Sequence, residues 1–445
     1  MMLEFSPPGE SREQNGEMRV TTNLVTGKIH TNLTVGVDTT TVKALEANQD
    51  LCSTGLILGS RGFVVNAQEA EKLGAGKTHK RRLFYPFFNG RDLTDQHRGY
   101  FVIDTYGFSE RDLLQDYPEV YQHLRDTVFL DRANNRDKKL RDLWWLPRRS
   151  NEQVRKAIRG LGRYIATPET ASHRFFVFLA ADVRPEHRLI VTGSDDAYVL
   201  GILSSSPHVL WGLRSGGTLE DRPVYNKTFG FDAFPFPDST EAQMQTIRDI
   251  AERLDAHRKR RQQLHPALTL TDMYNVLEKL RANQELTPQD HALYDAGLIG
   301  TLRELHDDLD RAVFDAYGWP QNLTTEEILA RIVALNAERR AEEASGLVRW
   351  LRPDYQAPAA VPIARVLEGF VEEAPAAATR RKQPWPGTLP EQVRAIKEAL
   401  RGSPARTPQQ VASTFRPASR TRVGEILATL VALGQARVVG DRYSL

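Results

Sequence analysis

The spacing of apolar and polar positions changes several times along the chain. From Val20 to about Val65 the apolar runs are short, threonine-rich and broken by glycine, as in "KIHTNLTVGV" and "TGLILGSRGFVV", which predicts strands. "NAQEAEKL" then reads as a helix. Residues 80–240 mix aromatic runs of strand type, "RGYFVIDT", "RFFVFLA" and "RLIVTGS", with helical stretches such as "YVLGILSSSPHVLWGL". That mixture indicates an α+β domain. After the Phe-Pro-Phe-Pro at 234–237 the spacing turns helical. Ser239 is the expected N-cap, and Met244, Ile247, Ile250, Ala251 and Leu254 share one face.

Helical patterning runs on to about residue 352, and residues 353–390 then carry seven prolines among many alanines, which predicts a linker. The last 55 residues regain order. Val393, Ile396 and Leu400 fall on one helix face, Thr407, Pro408 and Gln410 open a second helix with a capping box, and a third is expected over Thr421–Leu433 before a hairpin in "ARVVGDRYSL". Three helices and a hairpin are the order of a winged helix, whose third helix enters a groove in nucleic-acid binders. Arg420 and Arg422 at its start are the candidate DNA contacts; a winged helix used only for protein contact is the alternative. The expected segments are thus a disordered 1–19, strands at 20–65, an α+β domain at 66–240, helices at 241–352, a linker at 353–390 and a winged-helix-like unit at 391–445.

Composition narrows the function classes. The chain has 445 residues, 40% of them hydrophobic, enough for two or three domains with cores of their own. Lys and Arg total 59 against 57 Asp and Glu, so any polyanion signal must be local. A single cysteine, Cys52, excludes an internal disulfide and a cysteine-built zinc site, and reads as a small buried apolar residue in a reducing compartment. No apolar run reaches the length of a membrane span, and the polar start is unlike a secretory signal, so a cytoplasmic protein without a membrane role is expected.

Familiar catalytic motifs are missing. "GAGKTHK" has the end of a phosphate-binding loop, but Glu71 stands where that loop needs glycine. The eleven histidines show no metal-binding spacing and no nucleophile elbow occurs, so no metal and no catalytic residue is assigned.

The basic signal becomes local at "DRANNRDKKLRDLWWLPRRSNEQVRKAIRGLGRY", with eleven Lys or Arg against four Asp or Glu. At that density the side chains can neutralise phosphates, although solvated helix faces also carry such runs. Trp144 and Trp145 within it read as core residues rather than base-stacking groups.

Seven segments, "FYPFFNGRDLTD", "RGYFVIDTYG", "NRDKKLRDLWW", "RYIATP", "HRFFVFL", "YNKTFGFDAFPFP" and "ASGLVRWLRPDY", together resemble type IIL, MmeI-like, restriction-modification enzymes and their adenine-specific DNA methyltransferase relatives. They fall in the family's order over residues 25–360. The resemblance implies a DNA target recognition domain followed by helices, with 20–65 as the end of a methyltransferase domain. The family's Asn-Pro-Pro-(Tyr/Phe) tetrapeptide and Gly-rich cofactor loop do not occur in this sequence. No cofactor is therefore expected in this chain, and S-adenosylmethionine would belong to a methyltransferase catalytic subunit or upstream half.

The resemblance also places the site. Glu220 and Arg222, two residues apart, would read one base pair, unless they form only an exposed ion pair. Arg136, Lys138, Lys139, Arg141, Arg163 and Lys227 would contact the phosphates of double-stranded DNA. Asn89 and Gly90 would form a turn holding Arg91 and Asp92 near the junction with the catalytic core, or an Arg-Asp pair would merely staple the loop. The function this implies is that of a DNA recognition subunit or fragment of an adenine-specific methyltransferase or restriction-modification system, inactive alone. The alternatives are a stand-alone DNA-binding or scaffold protein, and a truncated form of an intact enzyme.

Overall fold

The protein is described from a computed structural model that covers residues 2–4, 23–25, 36–77, 81–219, 222–358, 383–386, 388–400, 407–412, 414–416, 420–432, 435–439 and 442–444. Two compact units divide the chain, Met1–Pro362 and Ile363–Leu445. Helices and sheets are mixed throughout, an α+β architecture.

The first unit contains two four-stranded sheets. In the larger, all antiparallel, the order is Cys52–Thr54, Leu189–Thr192, Arg163–Pro168, Val177–Ala180. Val191 lies opposite Ser53 on one side and Ala166 on the other. Tyr164, Ile165, Phe175, Phe176 and Phe178 share a buried core with the helices Ala197–Ser204, Ser206–Ser215, Glu241–Leu264, Leu270–Arg281 and Ile299–Tyr317. The helical stretch after the sheet is thus part of the same core.

The smaller sheet has the order Val64–Val65, Phe101–Ile103, Phe84–Phe88, Arg184–Pro185. Phe84, Phe87, Val102 and Ile103 pack there on Leu113, Val120, Leu124, Val128 and Trp144. Trp144 is 4% exposed and its Nε1 donates to Glu110, while Trp145 Nε1 donates to the Phe108 carbonyl, so both tryptophans are structural.

Three local readings shift. The apolar run 198–213 is two helices, broken at Ser205, because Pro207 lacks the N–H a continuous helix would need. The long helix begins at Glu241 with Thr240 as N-cap, closing a capping box with Gln243; Ser239 instead bonds the Tyr198 hydroxyl at 2.9 Å. Residues 52–65 supply an edge strand to each sheet, whereas the sequence reading gave them to a preceding domain. Most of "KIHTNLTVGV" lies outside the described residues.

In the second unit, the helix Leu389–Leu400 buries Ile396 and Leu400, with Val393 half-buried beside them. Thr407 and Gln410 exchange the two bonds of a capping box at 2.9 and 3.3 Å at the start of Pro408–Ala412. The helix Arg420–Ala432 and the hairpin of Arg437–Val439 with Arg442–Ser444 follow.

Candidate nucleic-acid interface

A cleft of about 1620 Å³ opens between the two sheets of the first unit. One wall is the end of the strand Phe84–Phe88 and the short helix Gly90–Thr94. Asn89 caps that helix: its side chain accepts from Arg91 N at 2.9 Å, and Asp92 accepts from Asn89 N at 2.8 Å. Asn-Gly is here a helix start and not a hairpin turn, and Gly90 is not among the residues with positive φ. The aromatics before it have separate jobs. Phe84 and Phe87 enter the core, Phe88 stacks on His97 with centroids 4.3 Å apart, and Tyr85 lies under the Arg184 guanidinium at 3.8 Å.

Arg91 and Asp92 do not pair with each other. Asp92, almost fully buried, accepts from Arg98 Nε at 2.9 Å and Nη2 at 2.8 Å. Burial alone would raise its pKa, but the Arg98 bonds and the backbone N–H of Asn89 outweigh that and hold it below the ordinary carboxylate value. Arg91 is left exposed on the cleft wall.

The opposite wall comes from segments flanking the larger sheet, Glu169–Ser172 after the strand Arg163–Pro168 and the turn Glu186–Arg188, and from a separate hairpin of Gly217–Leu219 with Arg222–Val224. The hairpin is tied back to the wall, since Tyr225 N donates to Glu169 O at 2.7 Å and Thr170 bridges Val224. Arg222 is exposed and stands opposite Leu219. Glu220 lies outside the described residues.

Arg61, Arg91, Arg98, Arg148, Arg188 and Arg222 line this cleft, against Asp95, Glu169 and Glu186. Among the described residues Arg61, Arg91, Arg148 and Arg188 are exposed and make no ion pair. Such an excess of guanidinium groups suits a polyanion. The sequence reading missed Arg61, Arg98 and Arg188, which lie outside the dense basic run and are isolated in sequence; only folding gathers them.

The basic run itself has a divided fate. Arg132 is buried and donates to the carbonyls of Trp144, Leu146 and Leu58. Arg155 and Arg184 both grip the buried Asp104. Arg163, half-buried, binds Glu252 and the Asp195 carbonyl and lies 3.6 Å over the Phe178 ring, so its guanidinium is already engaged by the protein. Lys227 is held by Asp232. Arg136, Lys138 and Lys139 are exposed and Arg141 half-buried, at and before the helix Lys138–Asp142 and outside the cleft lining; Lys138 pairs with Asp142 and Arg141 with the Asn135 carbonyl. In the second unit, Arg422 pairs with Glu425 at 2.9 Å and Arg420 begins its helix.

Among the described residues no cluster of His, Cys, Asp and Glu could hold a metal ion, and no helix is long and apolar enough to cross a membrane.

An α+β fold with an arginine-lined cleft bordered by a hairpin presents the charge and shape that a polyanion would meet. Residues 43–238 match the family model described as MmeI, target recognition domain, and form an MmeI-like target recognition domain. Over 74% of this chain the fold is also that of a solved structure of the type IIL restriction-modification enzyme MmeI in complex with DNA, with a TM-score of 0.55 and 18% sequence identity. The match covers 40% of that chain, so this protein spans less than half of it. No curated protein matches the chain.

Proposed function

We propose that the chain is the sequence-reading part of an adenine-specific DNA methyltransferase or restriction-modification enzyme of the cytoplasm, and that double-stranded DNA lies along the arginine-lined cleft. The observation that carries this reading is the gathering of Arg222, on an exposed hairpin, with Arg61, Arg91, Arg148 and Arg188 around one cavity of an MmeI-like recognition domain. A two-stranded ribbon fits the major groove, about 12 Å wide, and an arginine at its end can fork onto guanine O6 and N7. Glu220 would complete the reading of that base pair by accepting from cytosine N4. The other guanidinium groups would hold phosphates and fix the register.

Arg136, Lys138, Lys139 and Arg141 offer a second phosphate track on another surface of the same unit, and Arg420 and Arg422 a third if the second unit works as a winged helix. Arg163 and Lys227, both engaged with carboxylates, act through the fold.

Methyl transfer needs more than this cleft. S-adenosylmethionine carries a sulfonium cation, and a cavity lined by six arginines against three carboxylates does not suit it. The cofactor and the pocket for an extruded adenine would be supplied by a methyltransferase catalytic subunit or upstream half. Selection from a randomised duplex library tests the reading. The full chain, alone and with its catalytic partner, should enrich one sequence, and Arg222→Ala should relax one position of it at a cost of about 1–3 kcal/mol. Identical selections by parent and variant would defeat the assignment.

A further inference from the structure

Arg174 is 7% exposed and makes no ion pair among the described residues. Its fork is spent on neutral oxygens. Nη1 donates to Thr167 Oγ1 at 2.9 Å and to the Pro168 carbonyl; Nη2 reaches the Glu169 carbonyl at 3.4 Å and the Pro223 carbonyl at 3.3 Å. The guanidinium also lies over the Tyr225 ring, 5.1 Å from its centroid. Burying a cation without a carboxylate is unfavourable, and here burial pulls its pKa down to about 10, against a smaller opposing effect of Tyr225.

The four acceptors show what the charge does there. Thr167, Pro168 and Glu169 end the central strand and start one wall of the cleft, while Pro223 sits beside Arg222 on the hairpin. Two backbone hydrogen bonds run between the same two segments, Ala171 N to Pro223 O at 3.4 Å and Tyr225 N to Glu169 O at 2.7 Å, and together they make the antiparallel Thr170–Val224 bridge. Arg174 closes this set from the buried side. Four diverging acceptors match a planar five-donor fork, which neither a lysine nor a neutral amide reproduces.

We propose that Arg174 is a positioning residue for sequence reading, fixing the angle at which the Arg222 hairpin leaves the wall Glu169–Ser172. The inference rests on the reading that Arg222 contacts a base. A forked contact to a base edge is sensitive to displacements of an ångström, whereas phosphate contacts tolerate them. Loosening the hairpin therefore weakens discrimination and spares general affinity.

The test uses the full chain, with selection from a randomised duplex library and titration of a random-sequence duplex at several salt concentrations. Arg174→Lys and Arg174→Gln should lower discrimination at the Arg222-dependent position about tenfold, with Lys retaining more than Gln, and leave the random-duplex affinity and salt slope as in the parent. A selection profile unchanged in either folded variant overturns the proposal. Arg222→Ala is run beside them. If it changes nothing, base reading by Arg222 fails; if it relaxes one position that the Arg174 variants leave intact, only the positioning role fails. Hydrogen exchange on the unaltered, DNA-free chain decides the case in which the variants do not fold. The amides of Ala171 and Tyr225 should be protected as strongly as that of Val191 in the sheet, and open-chain exchange there overturns the proposal.

Discussion

Asp92 binds Arg98, six residues on, and not its neighbour Arg91. The carboxylate also receives the backbone N–H groups of Asn89 and Arg98, at 2.8 and 3.1 Å. One buried acidic group thereby starts the helix Gly90–Thr94, anchors the segment behind it and leaves Arg91 facing the cleft. Asp92→Ala would strand several donors at once and should destabilise the first unit by about 3 kcal/mol, whereas Arg91→Ala should stay within about 0.5 kcal/mol of the parent. Denaturant unfolding measures both. Equal losses would mean that the two residues do share one role.

A buried histidine sets an acid limit. His208 is fully buried with Nε2 2.8 Å from the Tyr225 hydroxyl, and burial, reinforced by Arg174, pushes its pKa down to about 3. In the unfolded chain the imidazole titrates near 6.5, at about its ordinary value, so below that pH the unfolded state takes up the proton first. The stability contributed by the neutral ring is complete above the unfolded pKa and is lost progressively as pH falls toward the folded one. His306, shifted in the same direction by its burial, adds to the effect. Melting temperature should fall between pH 7 and pH 4.5, and less steeply in His208→Gln, which keeps a partner for Tyr225. Parallel curves would exclude His208 as a source.

Salt dependence separates the two basic surfaces of the first unit. Each phosphate contact contributes a slope of about −0.9 to log affinity against log salt on duplex DNA. Arg61→Gln with Arg148→Gln should flatten the slope by roughly two units if the cleft carries the duplex. Neutralising Lys138, Lys139 and Arg141 measures the other surface in the same assay. A flat response to the first pair with a large one to the second would move the phosphate track out of the cleft.

What the sequence made legible is what neighbouring residues settle among themselves. The helix face of Ile247, Ile250, Ala251 and Leu254 is buried, and the reciprocal bonds of Thr407 and Gln410 form where a threonine and a glutamine stand three apart. The cleft was less legible because it is made by pairings between distant segments, Thr54 with Ile190 and Thr170 with Val224. The fate of each arginine depends on those pairings. Arg155 lies in the same dense run as Arg148, yet one meets Asp104 in the interior while the other faces the cavity. Charge density along the chain located a basic region but not which of its cations remain available. The resemblance singled out Arg222, which lines the cleft, whereas Arg61 and Arg188 had no local pattern to mark them.

Gly216 offers a way to move the hairpin without touching a polar group. Its φ of −79° is open to any residue, so conformational freedom is not what the position requires. The constraint is proximity. A Cβ there would stand 2.1 Å from the carbonyl oxygen of Val224, on the strand that carries Arg222. Gly216→Ala must push that strand outward, with an expected cost of about 1–3 kcal/mol in stability. The next glycine supplies the control, since a Cβ on Gly217 would meet nothing within 4 Å. Gly217→Ala should therefore keep the parent's stability within about 0.5 kcal/mol. If the hairpin's seat on the wall sets how Arg222 meets a base, Gly216→Ala should lose selectivity at the Arg222-dependent position while holding random duplex as well as the parent does, and Gly217→Ala should keep both. Selection and random-duplex titration on the two variants measure this. Retained selectivity in a folded Gly216→Ala protein would show that the hairpin adapts to DNA regardless of its seat, and would count against readout by a preset hairpin.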